Sequence, residues 1–399
     1  MNILYFLDKF PKLSESFISN EILQLEKEGH NVFVFAWEDP NEDIEHLEID
    51  KITSKVSYNE EVELCGLSEQ AARAVNGKLI AEQNLAISQE KHLRVLKSAL
   101  RCRKFLKELE VNVELVHTHF GQWKRYSAVY ISNILDCPLT ITTHAFDLYR
   151  DRSNNILTNL FLNTDEVITI SDYNANYIEN NFYPDVDINT VKNGVDTKKF
   201  HPSKKNKNKR ILTVSRFVEK KGIDDAIEAI SYLIEEHPDV DYRIVGSGKL
   251  RQSIQKKINN HGLENNVELL GNISDHKLLK EYDEASYFLL PCKIASDGDR
   301  DGIPVSLMES MSMETIPVTT NVSGIPELVK NGKNGVTVEP ESPGELSKEI
   351  DNLLKNDNLR IKIRSKARET VVEEFTLNNQ VNKLSSVFRN VVEDYEVNN

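Results

Sequence analysis

The stretch DGDRDGIPVSLME, residues 297–309, combines acidic side chains with a backbone that can bind an anion. Gly302 allows close backbone approach, and Pro304 fits the beginning of a helix. Free backbone N–H groups at a helix start bind phosphate, so this segment predicts a diphosphate site. Asp301 and Glu309 flank it, and carboxylates in such a place accept hydrogen bonds from sugar hydroxyls. An ordinary helix start with an exposed glutamate is the competing interpretation.

Positive charge follows the first predicted strand of the second half of the chain, in SRFVEKKG at 215–222. Arg216 and Lys221 at a strand end can clamp a diphosphate and stabilise it as a leaving group. Taken alone, such residues in a loop are more often simply solvated. Two glycine-containing turns, VGSG at 245–248 and GNI at 271–273, are expected at the same sheet edge, where the second could contact a nucleotide base.

Histidines mark two strand ends in the first half, in HTHFG at 117–121 and THAFD at 143–147. His117 and His119 are two residues apart on a strand and therefore face the same side. A metal site needs a third ligand, which the sequence does not identify. Buried or cleft-lining histidines are therefore the favoured interpretation.

Short apolar runs alternate with helical patterns along almost the whole chain, which predicts parallel sheets covered by helices on both faces. The polar, lysine-rich segment 201–209 has the composition of a linker. We expect an α/β fold of two doubly wound, Rossmann-like domains, 1–200 and 201–376, facing each other across a deep interdomain cleft, with a helix at 377–399 crossing back to the first. The predicted strands are 2–7, 32–37, 115–119, 139–143 and 166–170 in the first half, and 210–215, 242–246, 267–270, 287–290 and 316–319 in the second.

The composition narrows the class of protein. The chain has 399 residues, 39% of them hydrophobic, which is enough to form two hydrophobic cores. Its net charge of −14 is unfavourable for a general nucleic-acid binder, which needs a basic surface. Four cysteines without a CxxC pair predict neither a disulfide framework nor a zinc site. The N-terminal apolar run is typical of a strand rather than a secretion signal, and no apolar stretch reaches the roughly 20 residues of a membrane span. We expect a cytoplasmic protein that at most lies on a membrane surface.

The polar segment 41–107 interrupts the alternation and ends in a basic helical pattern at Lys91–Lys107. Leucines and Phe105 give this helix an apolar side. A basic amphipathic helix can lie on an anionic membrane. The alternative, which we favour, is an ordinary surface helix with a solvated charged face.

In combination and order, these motifs resemble the family 4 glycosyltransferases, retaining enzymes of the GT-B fold that use nucleotide-sugar donors. The N-terminal segment 10–18 and the stretch 295–304 resemble the bacterial branch that builds exopolysaccharides of the colanic-acid or amylovoran type. The segments that carry the family resemblance are RFVEKKG at 216–222, VGSG at 245–248, DGIPVSLME at 301–309 with its continuation 313–317, VSGIPEL at 322–328 and NGVD at 193–196.

The resemblance implies roles in donor binding. Arg216 and Lys221 would bind the diphosphate, Glu309 the ribose hydroxyls and Asp301 the hexose hydroxyls. The first acidic position of the E-x7-E element is an aspartate here instead of the usual glutamate, which bears on donor preference more than on reaction type. The implied donor-binding set is Ser215, Arg216, Lys221, Gly246, Gly248, Gly271, Asn272, Ile273, Asp301, Gly302, Ile303, Pro304, Val305 and Glu309.

In the first half, THAFD matches the family loop whose histidine lies beside the donor sugar. His144 would support an oxocarbenium-like transition state, and Asp147 would orient it. For Glu15, acceptor contact and helix capping remain equally open. The predicted catalytic set is His144, Asp147, Arg216, Lys221 and Asp301, and the predicted acceptor-binding set is Ser14, Glu15, Ser16 and His119.

We therefore expect a retaining glycosyltransferase of exopolysaccharide biosynthesis. It would move a hexose from a UDP- or GDP-linked donor to a hydroxyl of a glycan or polyprenyl-linked oligosaccharide, without a metal or other cofactor. Two alternatives stay open: a nucleotide-sugar epimerase of the same architecture, and a non-catalytic nucleotide-sugar-binding subunit of a glycosyltransferase assembly. An epimerase would convert the donor without an acceptor, and only a transferase would release nucleotide when an acceptor is added.

Overall fold

The computed structural model describes residues 1–41, 49–62, 87–150, 154–182, 188–203 and 209–398. The chain divides into two compact units, of which unit 1 is Met1–Leu148, Arg152–Lys192 and Val381–Asn399, and unit 2 is Tyr149–Asp151 and Asn193–Gln380. Unit 2 begins before residue 200 because Val195 pairs with Thr376 and Phe200 lies in its core.

Unit 1 contains a seven-stranded parallel sheet of order β3-β2-β1-β4-β5-β6-β7. The order reverses between β1 and β4, so the loops after these two strands lie at a switch point where ligands bind in such sheets. Its strands are β1 Asn2–Lys9, β2 Asn31–Glu38, β3 Lys55–Tyr58, β4 Leu115–His119, β5 Leu139–Thr143, β6 Glu166–Thr169 and β7 Ile188–Thr190. Its helices are α1 Ser16–Lys27, α2 Gln89–Glu108, α3 Tyr126–Leu135, α4 Ala145–Tyr149, α5 Asn154–Phe161 and α6 Asp172–Phe182.

Unit 2 contains a six-stranded parallel sheet of order β10-β9-β8-β11-β12-β13, with its switch point between β8 and β11. Its strands are β8 Arg210–Val214, β9 Asp241–Val245, β10 Val267–Gly271, β11 Ala285–Leu290, β12 Ile316–Thr320 and β13 Val336–Val338. The helices that follow are α7 Ile223–Leu233, α8 Arg251–Asn260, α9 Asp275–Glu284, α10 Val305–Ser312, α11 Ile325–Leu328, α12 Pro343–Lys355, α13 Asp357–Glu374 and α14 Leu377–Asn398.

Two doubly wound parallel sheets with alternating helices confirm the predicted fold class. All ten predicted strands are present, with ends that differ by at most two residues. The strands that the sequence analysis missed, β3, β7 and β13, are short and lie at sheet edges, where one neighbouring strand is absent and a long apolar run is not needed.

The predicted basic helix is α2, and its apolar side belongs to the core of unit 1. Leu96 and Phe105 are buried in that core, and Leu100 packs against it. The apolar side of α2 is therefore packed against the core of unit 1 and does not face a membrane. Across the described part of the chain, no helix is long and apolar enough to span one. Residues 42–48 and 63–86 of the predicted insertion, and 204–208 of the predicted linker, lie outside the described residues.

Candidate active site

The loops after β8 and β11 of unit 2 meet at the switch point of the sheet. Lys220 and Lys221 follow β8 in a turn that ends at Gly222, where φ is +63°. A Cβ atom at this glycine would lie 1.9 Å from the carbonyl oxygen of Pro291, just after β11. Only glycine combines this φ with this close approach, so Gly222 keeps the two loops together.

Lys221 and Asp301, two of the predicted site residues, form a buried ion pair. Lys221 Nζ lies 2.8 Å from Asp301 Oδ2, and Lys220 Nζ lies 3.5 Å from Asp301 Oδ1. Lys220 also pairs with Asp299 at 3.0 Å. Burial alone would raise the pKa of Asp301, but Lys221 and Lys220 outweigh it and hold the pKa well below its usual value. The cluster therefore places the Lys221 side chain at the strand edge where a diphosphate is expected.

Gly302, Ile303 and Pro304 are buried and lead directly into α10. No side chain caps the start of this helix, so its first backbone N–H groups are not taken by a capping side chain. One turn and a half further on, Glu309 Oε2 accepts a hydrogen bond of 2.8 Å from Tyr282 Oη. The predicted ribose-binding carboxylate is thus oriented by a tyrosine that the sequence analysis missed.

The glycines predicted after β9 hold the β8 loop in place by close packing. A Cβ at Gly246 would lie 1.9 Å from the Ser215 carbonyl oxygen, and one at Gly248 would lie 2.6 Å from that of Phe217. The hydroxyl of Ser215 is buried and has no hydrogen-bond partner among the described residues. Arg216 is exposed at the end of the same segment. Ser215 and Arg216 therefore offer polar groups beside the Lys221 turn.

The third predicted turn also lies at this edge. Gly271 ends β10, and its carbonyl oxygen accepts a hydrogen bond of 2.9 Å from the Gly246 N–H. Asn272 is exposed, whereas Ile273 packs partly against the core of unit 2. A base contact at this turn stays a prediction.

At the switch point of unit 1, buried imidazoles form a hydrogen-bonded chain. His119 ends β4, and its Nδ1 lies 3.1 Å from Nε2 of His144, which follows β5. Nε2 of His119 lies 3.2 Å from Nε2 of His117 and 3.1 Å from Oε1 of Glu21 on α1. Tyr5 Oη donates to the same Glu21 oxygen at 2.6 Å. The predicted catalytic and acceptor-binding histidines are therefore in direct contact.

The partners of this chain determine which nitrogen of His144 carries a proton. Burial lowers the pKa of His119 to about 3 and that of His144 well below 6.5, so both rings are neutral at pH 7. Burial raises the pKa of Glu21, but its Oε1 already accepts the Tyr5 proton. We assign the same oxygen as the acceptor for His119 Nε2, and Nδ1 of His119 then accepts the Nε2 proton of His144. Nδ1 of His144 consequently carries a lone pair, and no group in the described part of the chain hydrogen-bonds to it.

Glu21 is the third group near His117 and His119 that the sequence analysis could not locate. Their three facing atoms lie within 4.8 Å of one another, which also suits a metal. All three atoms already have hydrogen-bond partners. Glu21 Oε1 accepts from Tyr5 and lies 3.1 Å from His119 Nε2. His117 Nε2 lies 3.2 Å from His119 Nε2 and 3.3 Å from the Thr142 hydroxyl. These hydrogen bonds link the three groups to one another, and the absence of a metal here stays a prediction.

Asp147 orients the main chain around His144. Its Oδ1 accepts a hydrogen bond of 2.8 Å from the His144 N–H, and its Oδ2 accepts one of 2.8 Å from the Gly121 N–H. The ring of His144 is held by Phe120 and His119, whose centroids lie 4.4 Å and 5.4 Å away. The orienting role predicted for Asp147 therefore acts on the backbone, and other residues fix the imidazole.

The predicted acceptor segment lies between β1 and α1. Glu15 occupies the N-cap position of α1, but its side chain makes no capping hydrogen bond and pairs with Lys12 instead. Of its two interpretations, helix capping is therefore not supported. Ser14 is exposed and Ser16 is the first residue of α1. Acceptor contact by this segment stays a prediction.

The chain matches two family models, one in each half. Residues 14–199 match the family model described as Glycosyltransferase Family 4, and residues 195–370 match that described as Glycosyl transferases group 1. Together the two matches run through nearly the whole of both units.

Individual proteins are also similar to this chain in sequence or in structure. WcaL of Salmonella typhimurium, a glycosyltransferase assigned provisionally to colanic acid biosynthesis, is 28% identical over 412 residues, covering 98% of this chain and 100% of that protein. The amylovoran biosynthesis glycosyltransferase AmsK of Erwinia amylovora is 38% identical over 151 residues, 37% of each chain. Among solved structures, Anabaena HepE in complex with UDP superposes with a TM-score of 0.73 at 18% identity, covering 98% of this chain and 100% of that one. This last likeness concerns the fold.

Proposed function

Because this chain belongs to the family 4 glycosyltransferases and has their fold, we propose that it transfers a hexose, with retention of configuration, from a nucleoside-diphosphate sugar to a hydroxyl of a glycan or lipid-linked oligosaccharide. That it is a sugar transferase follows from the family. The hexose, the stereochemistry and the acceptor are the proposal.

The buried Lys221–Asp301 pair, 2.8 Å long, is the observation that carries the donor half of the proposal. It lies at a switch point, beside the start of α10 and next to Arg216. A diphosphate bound there would gain the Lys221 charge and the backbone N–H groups of the helix start. With Lys221 then facing the diphosphate, Asp301 would accept hydrogen bonds from sugar hydroxyls. Glu309, held by Tyr282, would accept those of the ribose.

For the chemical step, we propose a front-face displacement. The bond from the anomeric carbon to the diphosphate oxygen breaks, and the acceptor hydroxyl attacks from the same side while the departing phosphate takes its proton. Lys221 and Arg216 would stabilise the negative charge that develops on the leaving group. The lone pair on Nδ1 of His144 would face positive charge or a hydroxyl of the sugar. None of these roles requires a metal.

The relatives support a place in polysaccharide synthesis. WcaL and AmsK are named for colanic acid and amylovoran biosynthesis, both of which are exopolysaccharides. We propose that this chain acts in the cytoplasm, where its buried free cysteines Cys102, Cys137 and Cys292 stay reduced. A polyprenyl-linked acceptor would bring it to the inner membrane face, with the exposed charges of α2 meeting anionic lipid, since the apolar side of α2 is packed inside.

Acceptor-dependent nucleotide release tests the proposal against its alternatives. The purified protein is incubated with UDP- and GDP-hexoses, with and without a lipid-linked oligosaccharide extract from an exopolysaccharide-producing bacterium. If the protein transfers sugar with retention, nucleotide is released only when the extract is present. A new glycoside then forms, and its anomeric configuration matches that of the donor. Conversion of the donor sugar without the extract would indicate an epimerase. Nucleotide binding without release under any condition would indicate a non-catalytic subunit.

A further inference from the structure

Arg125 is a buried cation that lacks a counter-ion in the described part of unit 1. The residue is 2% exposed. Its Nε donates a hydrogen bond of 2.6 Å to the carbonyl oxygen of His119. Its Nη1 is buried and has no hydrogen-bond partner among the residues described. No described carboxylate forms an ion pair with it.

The neighbouring residue shows the usual arrangement. Lys124 pairs with Asp8 at 2.6 Å and with Glu38 at 3.0 Å. For Arg125, by contrast, burial lowers the pKa, and Asp8, Glu15 and Asp147 oppose this only from beyond ion-pair distance. Removing a charge from water without giving it a partner is strongly unfavourable, so an isolated buried guanidinium is expected where an anion binds.

The position of Arg125 identifies which substrate could supply this anion. Arg125 follows β4 at the switch point and donates a hydrogen bond to the His119 carbonyl oxygen. It also interacts electrostatically with Glu15. Both His119 and Glu15 belong to the predicted acceptor-binding set. The planar guanidinium fork matches the paired oxygens of a phosphate or a carboxylate. The donor diphosphate, in turn, has its own cations in unit 2.

We propose that Arg125 binds an anionic group of the acceptor, a phosphate or a carboxylate, and so selects charged over neutral acceptors. This inference rests on the proposed function, because it assigns the substrate of that same reaction. A lipid-linked acceptor would supply the group as a diphosphate, and an acidic glycan would supply it as a uronate carboxylate. The Nε hydrogen bond to His119 would place this anion a fixed distance from the histidine chain.

Calorimetric titration of the full chain, with its donor site saturated by UDP or GDP, tests the assignment. The anionic probes are geranyl diphosphate and methyl glucuronide, and the neutral counterparts are geraniol and methyl glucoside. We expect one anionic probe to bind and its neutral counterpart to bind at least about tenfold more weakly, the range of a charge-assisted hydrogen bond. The probe that binds identifies the source of the anion.

Variants link the binding to the side chain. Arg125→Gln is expected to lower the affinity for the anionic probe about 10- to 100-fold. Arg125→Lys keeps the charge but loses the planar guanidinium, so it should lower the affinity by a smaller factor. Lys124→Met is the matched control, because this adjacent cation already has two carboxylate partners, and it should leave probe binding unchanged. Should the glutamine variant fail to fold, the lysine variant decides alone.

The assignment is overturned if neither anionic probe binds. It is also overturned if a probe binds and both Arg125 variants bind it as tightly as the wild-type protein. The nucleotide titration in the same samples separates this failure from failure of the proposed function. Nucleotide binding that survives in the Arg125 variants leaves the transferase intact while the acceptor assignment fails. Absence of nucleotide binding in the wild-type protein counts against the proposed function itself.

Discussion

Replacement of Lys221 by alanine is expected to lower kcat for sugar transfer by about 10²- to 10³-fold, the usual effect of removing one group that stabilises charge on a leaving group. Lys221 is 8% exposed and its charge lies beside the start of α10, where the diphosphate would depart. Asp301 retains Lys220 at 3.5 Å in this variant, so the carboxylate is not left unpaired and the fold should persist. Steady-state nucleotide release against donor concentration measures the effect.

Lys293→Ala is the control for burial of a lysine in the same unit. Lys293 is also 8% exposed and forms ion pairs of 2.8 and 2.9 Å with Asp224 and Asp225. Its removal should lower the thermal stability, since it leaves buried carboxylate charge with less compensation, but should leave kcat within about twofold. Equal losses of kcat in the Lys221 and Lys293 variants would mean that Lys221 is merely structural.

The second large effect is expected at His144, where leucine and asparagine should differ. His144→Leu removes the lone pair on Nδ1 and is expected to lower kcat/KM by roughly 10- to 100-fold. His144→Asn places an amide oxygen at the same bonding position as Nδ1, so it keeps an acceptor there and should lose less. The comparison uses kcat/KM for transfer with both variants shown to be folded. Identical losses in the two variants would contradict the assignment of Nδ1 as an acceptor.

The pH dependence provides an independent measure of the same group. Because burial lowers the pKa of His144 well below 6.5, its imidazole stays neutral as the pH falls from 8 to 6. Protonation of His144 should therefore cause no loss of kcat/KM in that interval. A loss of wild-type activity centred near pH 6.5 that disappears in His144→Leu would show that the ring titrates in the ordinary range.

The sequence predicted the two doubly wound sheets well because central strands such as β1 and β11 contain uninterrupted apolar runs, at 3–7 and 287–290, that need no context to be identified. It also predicted which segments reach the switch point of unit 2. Gly246 and Gly248 lie in a turn at this sheet edge, as the sequence predicted, and only the structure reveals their close backbone packing. Lys221 lies beside Asp301. The site roles of these residues stay predictions until they are measured.

The sequence could not reveal the residues that reach the site from inside secondary structure. Glu21 lies on the mostly apolar inner side of α1, near the buried Ile18 and Ile22, so the one available signal is an acid at a position where the helical pattern predicts a hydrophobe. Tyr282 and Arg125 belong to no motif, and their role depends on tertiary contacts with Glu309 and His119. Likewise the apolar side of α2 could not be assigned to core or membrane until the sheet that covers it was known.

The most direct test of the central claim is calorimetric titration of UDP, GDP and ADP into the wild-type protein and Arg216→Ala. Arg216 is an exposed cation in the loop after β8, so its removal should weaken nucleotide binding without disturbing the fold. We expect one nucleotide to bind with micromolar affinity, and binding in the variant to be at least about tenfold weaker because a charge-assisted contact to phosphate is lost. Absence of binding by all three nucleotides, or affinity equal in the two proteins, would contradict a donor site at the switch point of unit 2.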